Sequence, residues 1–399
     1  MTARTATRLL GALAVPVLLL TAACGGGDAS TGTTGTGAGP TGGAPVTVGV
    51  VTSTSGPLAG YGASYVEGLK AGLAAATDGS NTVKGRQVKL EVLDDAGDPA
   101  KAVTAATDLA GRGVKVLVGT ASSGVAVKLA PFAQENDLLY ISGSAASDAI
   151  TGVNKNTFRA GRQTYQDVAT AATLLQGGAG KVLVFAQDTE FGKGNVAAVK
   201  AVLGSKGATV DQILAPATST EFTGLAQQVK DKKPDLLFVA WAGDSTSAMW
   251  QALQQQGVLS STTVTTGLGD RASWPAYGAD PKDIRFLAHY VPGAGDGPTA
   301  KVLAAAVPKP DLFTPDGFVT AQMIVRALTE GDPSDTSSMV KALEGWSFDA
   351  PKGRQTVRAS DHAMLQPMFT ASLTGAPTDR TAQVLTTLTP EQVAPPEKK

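Results

Sequence analysis

Two serines stand where a small anion could be held. Ser123 follows the apolar run at 115–118 and opens an amphipathic stretch, and Ser147 follows the apolar run at 138–141. A helix start presents unpaired backbone N–H groups, and open α/β sheets bind ligands beyond the C-terminal ends of their strands. Ser123 also reads as a plain helix N-cap. Neither serine suits nucleophilic catalysis: no G-x-S-x-G elbow surrounds them, and the only histidines, His289 and His362, are remote in sequence. Asp94, Asp95 and Asp98 suggest acid catalysis or calcium at first sight. A strand-end turn capping a helix that begins at Pro99 explains them better. Two histidines and one cysteine in 399 residues argue against a zinc site and exclude a disulfide framework. The glycines at 37, 39 and 42 match a dinucleotide-binding spacing, but they lie in low-complexity sequence ahead of a strand, where that motif has no mechanism. No cofactor, metal or catalytic residue is expected.

The lone cysteine has its own context. Arg4 and Arg8 precede an apolar run at 9–20, shorter than the roughly 20 residues a membrane-crossing helix needs. The run ends in Leu20-Thr21-Ala22-Ala23-Cys24, which resembles a bacterial lipobox with Thr21 at a position more often Leu. That resemblance implies cleavage before Cys24 and lipid attachment to it, several acyl chains on one residue giving stable anchorage. Residues 1–23 then form a signal peptide and 24–45 a lipidated cysteine with a Gly/Thr/Ser-rich flexible tether. Cleavage removes two arginines and no acids, taking the net charge from −1 to −3.

From Val46 onward, β-branched runs alternate with stretches of helical periodicity. Strands are expected at 46–53, 87–93, 115–118 and 138–141, with helices around 65–73, 101–112 and 125–136 between them. A second set follows: helices at 165–176, 194–205, 223–230 and 245–256, with strands at 181–186, 209–214, 235–240 and 262–266. Strands joined through helices imply parallel sheets covered on both faces. The class is α/β, with two doubly wound lobes in tandem. After 284–291 come helices at 299–306, 318–329 and 337–343 and extended segments near 355–358 and 367–373, so the chain is expected to pass back between the lobes.

Four segments in order, VTVGVVTSTSGPLAGYG at 46–62, DDAGDP at 94–99, VLVGTASSG at 116–124 and YISGSAAS at 140–147, resemble the leucine/isoleucine/valine-binding family of substrate-binding proteins of ABC importers. The resemblance runs to about residue 373. It implies the type I periplasmic binding protein fold: two lobes joined by three crossing strands, closing on a ligand between them. The implied lobes are 46–161 with 293–351 and 162–292 with 352–389, leaving 390–399 as a frayed tail. By the same resemblance Ser123, Ala145 and Ser147, with Ser122 and Ala146 beside them, hold an α-carboxylate. Tyr61, Phe191 and Phe313 match family aromatics that line the pocket. Trp241 replaces a small residue or tyrosine and reads equally as core packing. Asp270, in Gly267-Leu268-Gly269-Asp270-Arg271, is the acid nearest the position where the family places a glutamate for the ligand's ammonium.

Charge narrows the partners. With 33 Lys plus Arg against 34 Asp plus Glu and no basic block, the chain lacks the footprint of a nucleic-acid binder. The expected protein is an extracytoplasmic, lipid-anchored monomer. It captures an amino acid, branched-chain or related, and delivers it to ABC permease subunits. A ligand-sensing module of the same fold and a binder of amide- or urea-type solutes are the alternatives, and a secreted hydrolase ranks last.

Overall fold

The computed structural model describes residues 43–175 and 180–398. The signal peptide, Cys24 and nearly all of the expected tether lie outside the described residues. Among those described, no helix is long and apolar enough to cross a membrane.

The first lobe begins with β1 (Val46–Thr52) and α1 (Ala59–Ala76), followed by β2 (Thr82–Val83), β3 (Arg86–Asp94), α2 (Pro99–Gly111), β4 (Val116–Gly119), α3 (Ser123–Glu135), β5 (Leu139–Ser142) and β6 (Thr157–Arg159). Its sheet has the order β2-β3-β1-β4-β5-β6, parallel except for the β2–β3 hairpin. Separate apolar clusters cover its two faces, which is why these strands read as continuous apolar runs.

The second lobe takes α4 (Thr164–Thr173), β7 (Lys181–Gln187), α5 (Glu190–Val202), β8 (Thr209–Ala215), α6 (Thr223–Lys232), β9 (Leu236–Ala240), α7 (Thr246–Gln255), β10 (Thr263–Gly267) and β11 (Ile284–Ala288). Five of its strands run parallel. Antiparallel β15 (Met368–Thr374) and β16 (Thr381–Leu388) extend the sheet past β11, an edge the alternation alone does not foretell.

Between β11 and β15 the chain returns to the first lobe as α8 (Pro298–Ala306), α9 (Thr314–Glu330), α10 (Thr336–Leu343) and the strands β12 (Ser347–Ala350), β13 (Gly353–Val357) and β14 (Met364–Leu365). Helices α1 and α9 pack with almost no space between their backbones. A Cβ at Gly68 would lie 1.8 Å from the Thr314 carbonyl oxygen, and one at Gly317 would lie 2.0 Å from that of Tyr65. Glycine is required at both positions by the close approach. Lobe membership corrects the expected division at 351/352. The β12–β13–β14 ladder is continuous, and Val357 and Met364 sit in the first lobe's core. The last crossing therefore falls at 366–367, and the other two lie between β6 and α4 and between β11 and α8.

The tail is also not frayed. Val393 packs with Met368 and Leu388 on the second lobe, while Arg358 of the first lobe donates to the Pro395 carbonyl at 2.9 Å and the Lys398 N–H donates to Asp361 at 3.1 Å. Residues 389–398 thus run from one lobe to the other beside the crossings.

Candidate functional site

The strand-to-helix turns of both sheets face one another across a partly open cavity of about 330 Å³. On the first-lobe side β4 ends at Gly119, and Ser122 caps α3 by accepting from the Val125 N–H at 3.4 Å. Ser123 lies in the first helical turn, its Oγ accepting from the Ser147 N–H at 3.2 Å and its hydroxyl proton remaining available. Ser122, Ser123 and Ala146 line the cavity, as do Tyr61, Phe191, Trp241 and Phe313. Trp241 packs on Phe185 and Phe222 with ring centroids 5.1 and 5.3 Å away, and it also lines the cavity.

Three expected residues stand elsewhere. Ala145 is buried against Ala126 and Ile150, and its carbonyl accepts from Arg159 Nη2 at 2.6 Å. Ser147 donates across the cleft to Glu190 Oε1 at 2.8 Å, joining the lobes instead of lining the cavity. Asp270 is displaced because the chain turns into the short 3₁₀ segment Arg271–Tyr277, whose Ser273 N–H and hydroxyl both bond to the Asp270 carbonyl. Gly269 lines the cavity in its place. Burial raises the Asp270 carboxyl above the usual carboxylate range, with Asp311 adding to the shift.

The lobes meet at two further points, where the Gly243 N–H reaches Tyr61 Oη at 3.5 Å and the Arg271 N–H reaches the Asp311 carboxylate at 3.2 Å. Asp94, Asp95 and Asp98 are structural. Asp98 caps α2 through the Ala100 N–H at 2.7 Å, Asp95 accepts from Ser53 and Thr120, and Asp94 accepts from Ser55. No group of three or more metal-ligating side chains occurs among the described residues.

The charged residues of the cavity come from the crossings and the helix beyond one of them, where periodicity gives no signal. Arg162 donates to the Ser144 carbonyl at 2.8 Å, and its Nε lies 3.2 Å from Asp167 Oδ2. Its guanidinium stands 5.7 Å from the Phe313 ring centroid, with Tyr61 edge-on to the same ring. His289 stacks near Phe313 and contacts the Leu312 carbonyl through Nε2 at 3.0 Å. A carbonyl only accepts, so Nε2 carries the proton and Nδ1 is left as an acceptor. Burial, with Arg162 and Lys352 nearby, pushes the imidazole well below its ordinary pKa, so His289 is neutral. Behind it lies a fully buried pair, Lys352 Nζ and Asp316 Oδ1, 3.6 Å apart. Burial raises the Asp316 carboxyl and lowers the Lys352 ammonium, each opposed by the other's charge.

The model of one family, described as periplasmic binding protein, matches residues 45–378. The Leu/Ile/Val-binding protein BraC3 of Rhizobium johnstonii is 26% identical over 316 residues, spanning 75% of this chain and 84% of that protein. Leu/Ile/Val-binding protein homolog 3 of Brucella melitensis is 25% identical, over 75% and 83%. Among solved structures, an ABC-type branched-chain amino acid transporter protein from Rhodopseudomonas palustris superposes with a TM-score of 0.72 at 28% identity, covering 89% of this chain and 100% of the other. A solute-binding protein of the same species, in complex with 4-hydroxybenzoate, superposes with a TM-score of 0.78 at 21% identity, over 86% and 97%.

Proposed function

The chain belongs to the periplasmic binding protein family, and from that premise we propose that it is the solute-capturing component of an ABC importer, tethered outside the cell membrane through lipidated Cys24. The solute is a small carboxylate, foremost an amino acid of the branched-chain or a related kind. One observation carries the reading: the cavity between the lobes pairs a helix N-terminus and a guanidinium, both suited to a carboxylate, with apolar walls suited to a side chain. Capture needs no chemical step. Solute enters between parted lobes, and closure about the crossings brings Ser147 to Glu190 and Tyr61 to Gly243. A monomer presenting that closed form to permease subunits completes the function.

The aromatics favour a second reading. Tyr61, Phe191, Trp241 and Phe313 surround the cavity, and an aromatic carboxylate would use the same anion site without needing an acid for an ammonium group. The 4-hydroxybenzoate carried by one structural relative is in keeping with that alternative.

A thermal-shift screen over branched-chain and aromatic amino acids, benzoates and small amides, followed by calorimetry, decides between them. A ligand at 100 times its dissociation constant adds about 2.7 kcal/mol of stability. Binding by L-leucine, L-isoleucine or L-valine supports the first reading. Shifts confined to benzoates support the second, and a response to neutral amides alone defeats both.

A further inference from the structure

We propose that Asp167, and not Asp270, is the acid that receives the ammonium group of an amino-acid ligand. The assignment rests on the amino-acid reading and sharpens it. An ammonium enclosed without a counter-charge carries a heavy desolvation penalty, so a cavity that takes a zwitterion must supply an anion as well as a cation. Among the described residues that line the cavity, Asp167 is the only carboxylate. It lies in the first turn of α4, immediately past the first crossing, and only 5% of its surface is exposed. One oxygen, Oδ2, faces Arg162 Nε; the other, Oδ1, has no hydrogen-bond partner among the described residues. A buried carboxylate oxygen without a donor is costly, and an ammonium brings both donors and charge.

Arg162 completes the complement. Held by the Ser144 carbonyl and by Asp167, it sets a fixed positive group next to a fixed negative one. A ligand carboxylate then takes the guanidinium and the N-terminus of α3, and its α-ammonium takes Asp167. A ligand without the amino group leaves Asp167 Oδ1 with no donor, so the site discriminates by penalising the deaminated analogue.

Calorimetry on the whole exported domain tests this with two ligand pairs: L-leucine against 4-methylpentanoate, and L-phenylalanine against 3-phenylpropanoate. In the Asp167→Asn variant the amino acid that the wild type binds should weaken at least thirtyfold, while its deaminated partner stays within threefold. Asp270→Asn should move neither beyond threefold. Equal weakening of both partners in Asp167→Asn means the side chain only props Arg162, and overturns the assignment. Unchanged amino-acid affinity in that variant, or selective loss in Asp270→Asn, overturns it as well. Should Asp167→Asn fail to fold, Asp167→Glu moves the charge by one methylene. A changed preference for the amino acid over its analogue supports the proposal, and a wild-type preference refutes it. Failure of the underlying reading is visible separately: a wild-type protein that binds the deaminated acids and no amino acid defeats both at once.

Discussion

The hinge side and the mouth of the cleft are built on opposite terms. At the hinge, Arg159, Arg162, Asp167, Asp316, Lys352 and the neutral His289 are all buried, and their polar groups are answered by one another, by the Gln366 side chain and by backbone carbonyls. At the mouth, the lobes touch through a few single hydrogen bonds: Ser147 to Glu190, Gly243 to Tyr61 and Arg271 to Asp311. Charges removed from water tolerate no loss of a partner, whereas a partly solvated hydrogen bond contributes about 1 kcal/mol and is replaced by water when it opens. The crossings are therefore fixed by buried partners, and the contacts across the cleft are individually weak. The capture and release proposed above would need that asymmetry.

The largest effect should come from breaking the hinge. Lys352→Ala leaves the Asp316 carboxyl without its nearest cation, and urea denaturation should show a loss of about 3–5 kcal/mol. A loss below about 1 kcal/mol would mean that hinge and mouth do not differ in this way.

Next comes pH. His289 is held neutral in the fold, well below its ordinary value of 6.5, and regains that value when the chain unfolds. Between the two values the unfolded state binds more protons, so this contribution is complete above pH 6.5 and is lost as pH falls below it, by up to about 1.4 kcal/mol per unit. Stability measured from pH 7.5 to 5.0 should fall more steeply for the wild type than for His289→Gln. Parallel curves would place the imidazole's proton elsewhere.

The smallest effect belongs to the mouth. Ser147→Ala removes the bond to Glu190 without touching the cavity lining, and should weaken every ligand by the same two- to fivefold, about 0.5–1 kcal/mol. A change in the order of ligand preference would show that Ser147 contacts the solute directly.

Legibility in the sequence followed the range of the interaction concerned. Asp98 capping α2 is set within a few residues and stands as the local pattern implies, whereas α3 is capped by Ser122, one residue ahead of the Ser123 that the pattern offered as N-cap; Tyr61, Phe191 and Trp241 line the cavity beyond the strand ends. Ser147 stands at its expected strand end too, but which neighbour its hydroxyl meets depends on Glu190 in the other lobe. Asp270 was the nearest acid along the chain, yet one residue past Gly269 the backbone enters a 3₁₀ turn that takes it off the cavity wall. Arg162, Asp167 and His289 carry no motif, and become a site only when distant segments meet.

Most of the alternating strands and helices up to β11, the cap at Asp98, the two-lobed α/β class and the polar helix start at Ser122 and Ser123 were legible in the sequence, because hydrophobic period and capping act over one or two turns. The tertiary structure decided which charges face the cavity, where the last crossing falls and that residues 389–398 bind both lobes. Those outcomes depend on partners far apart in the chain, such as Tyr65 with Thr320 and Gln166 with Met364, and on how much water each charge loses when they come together.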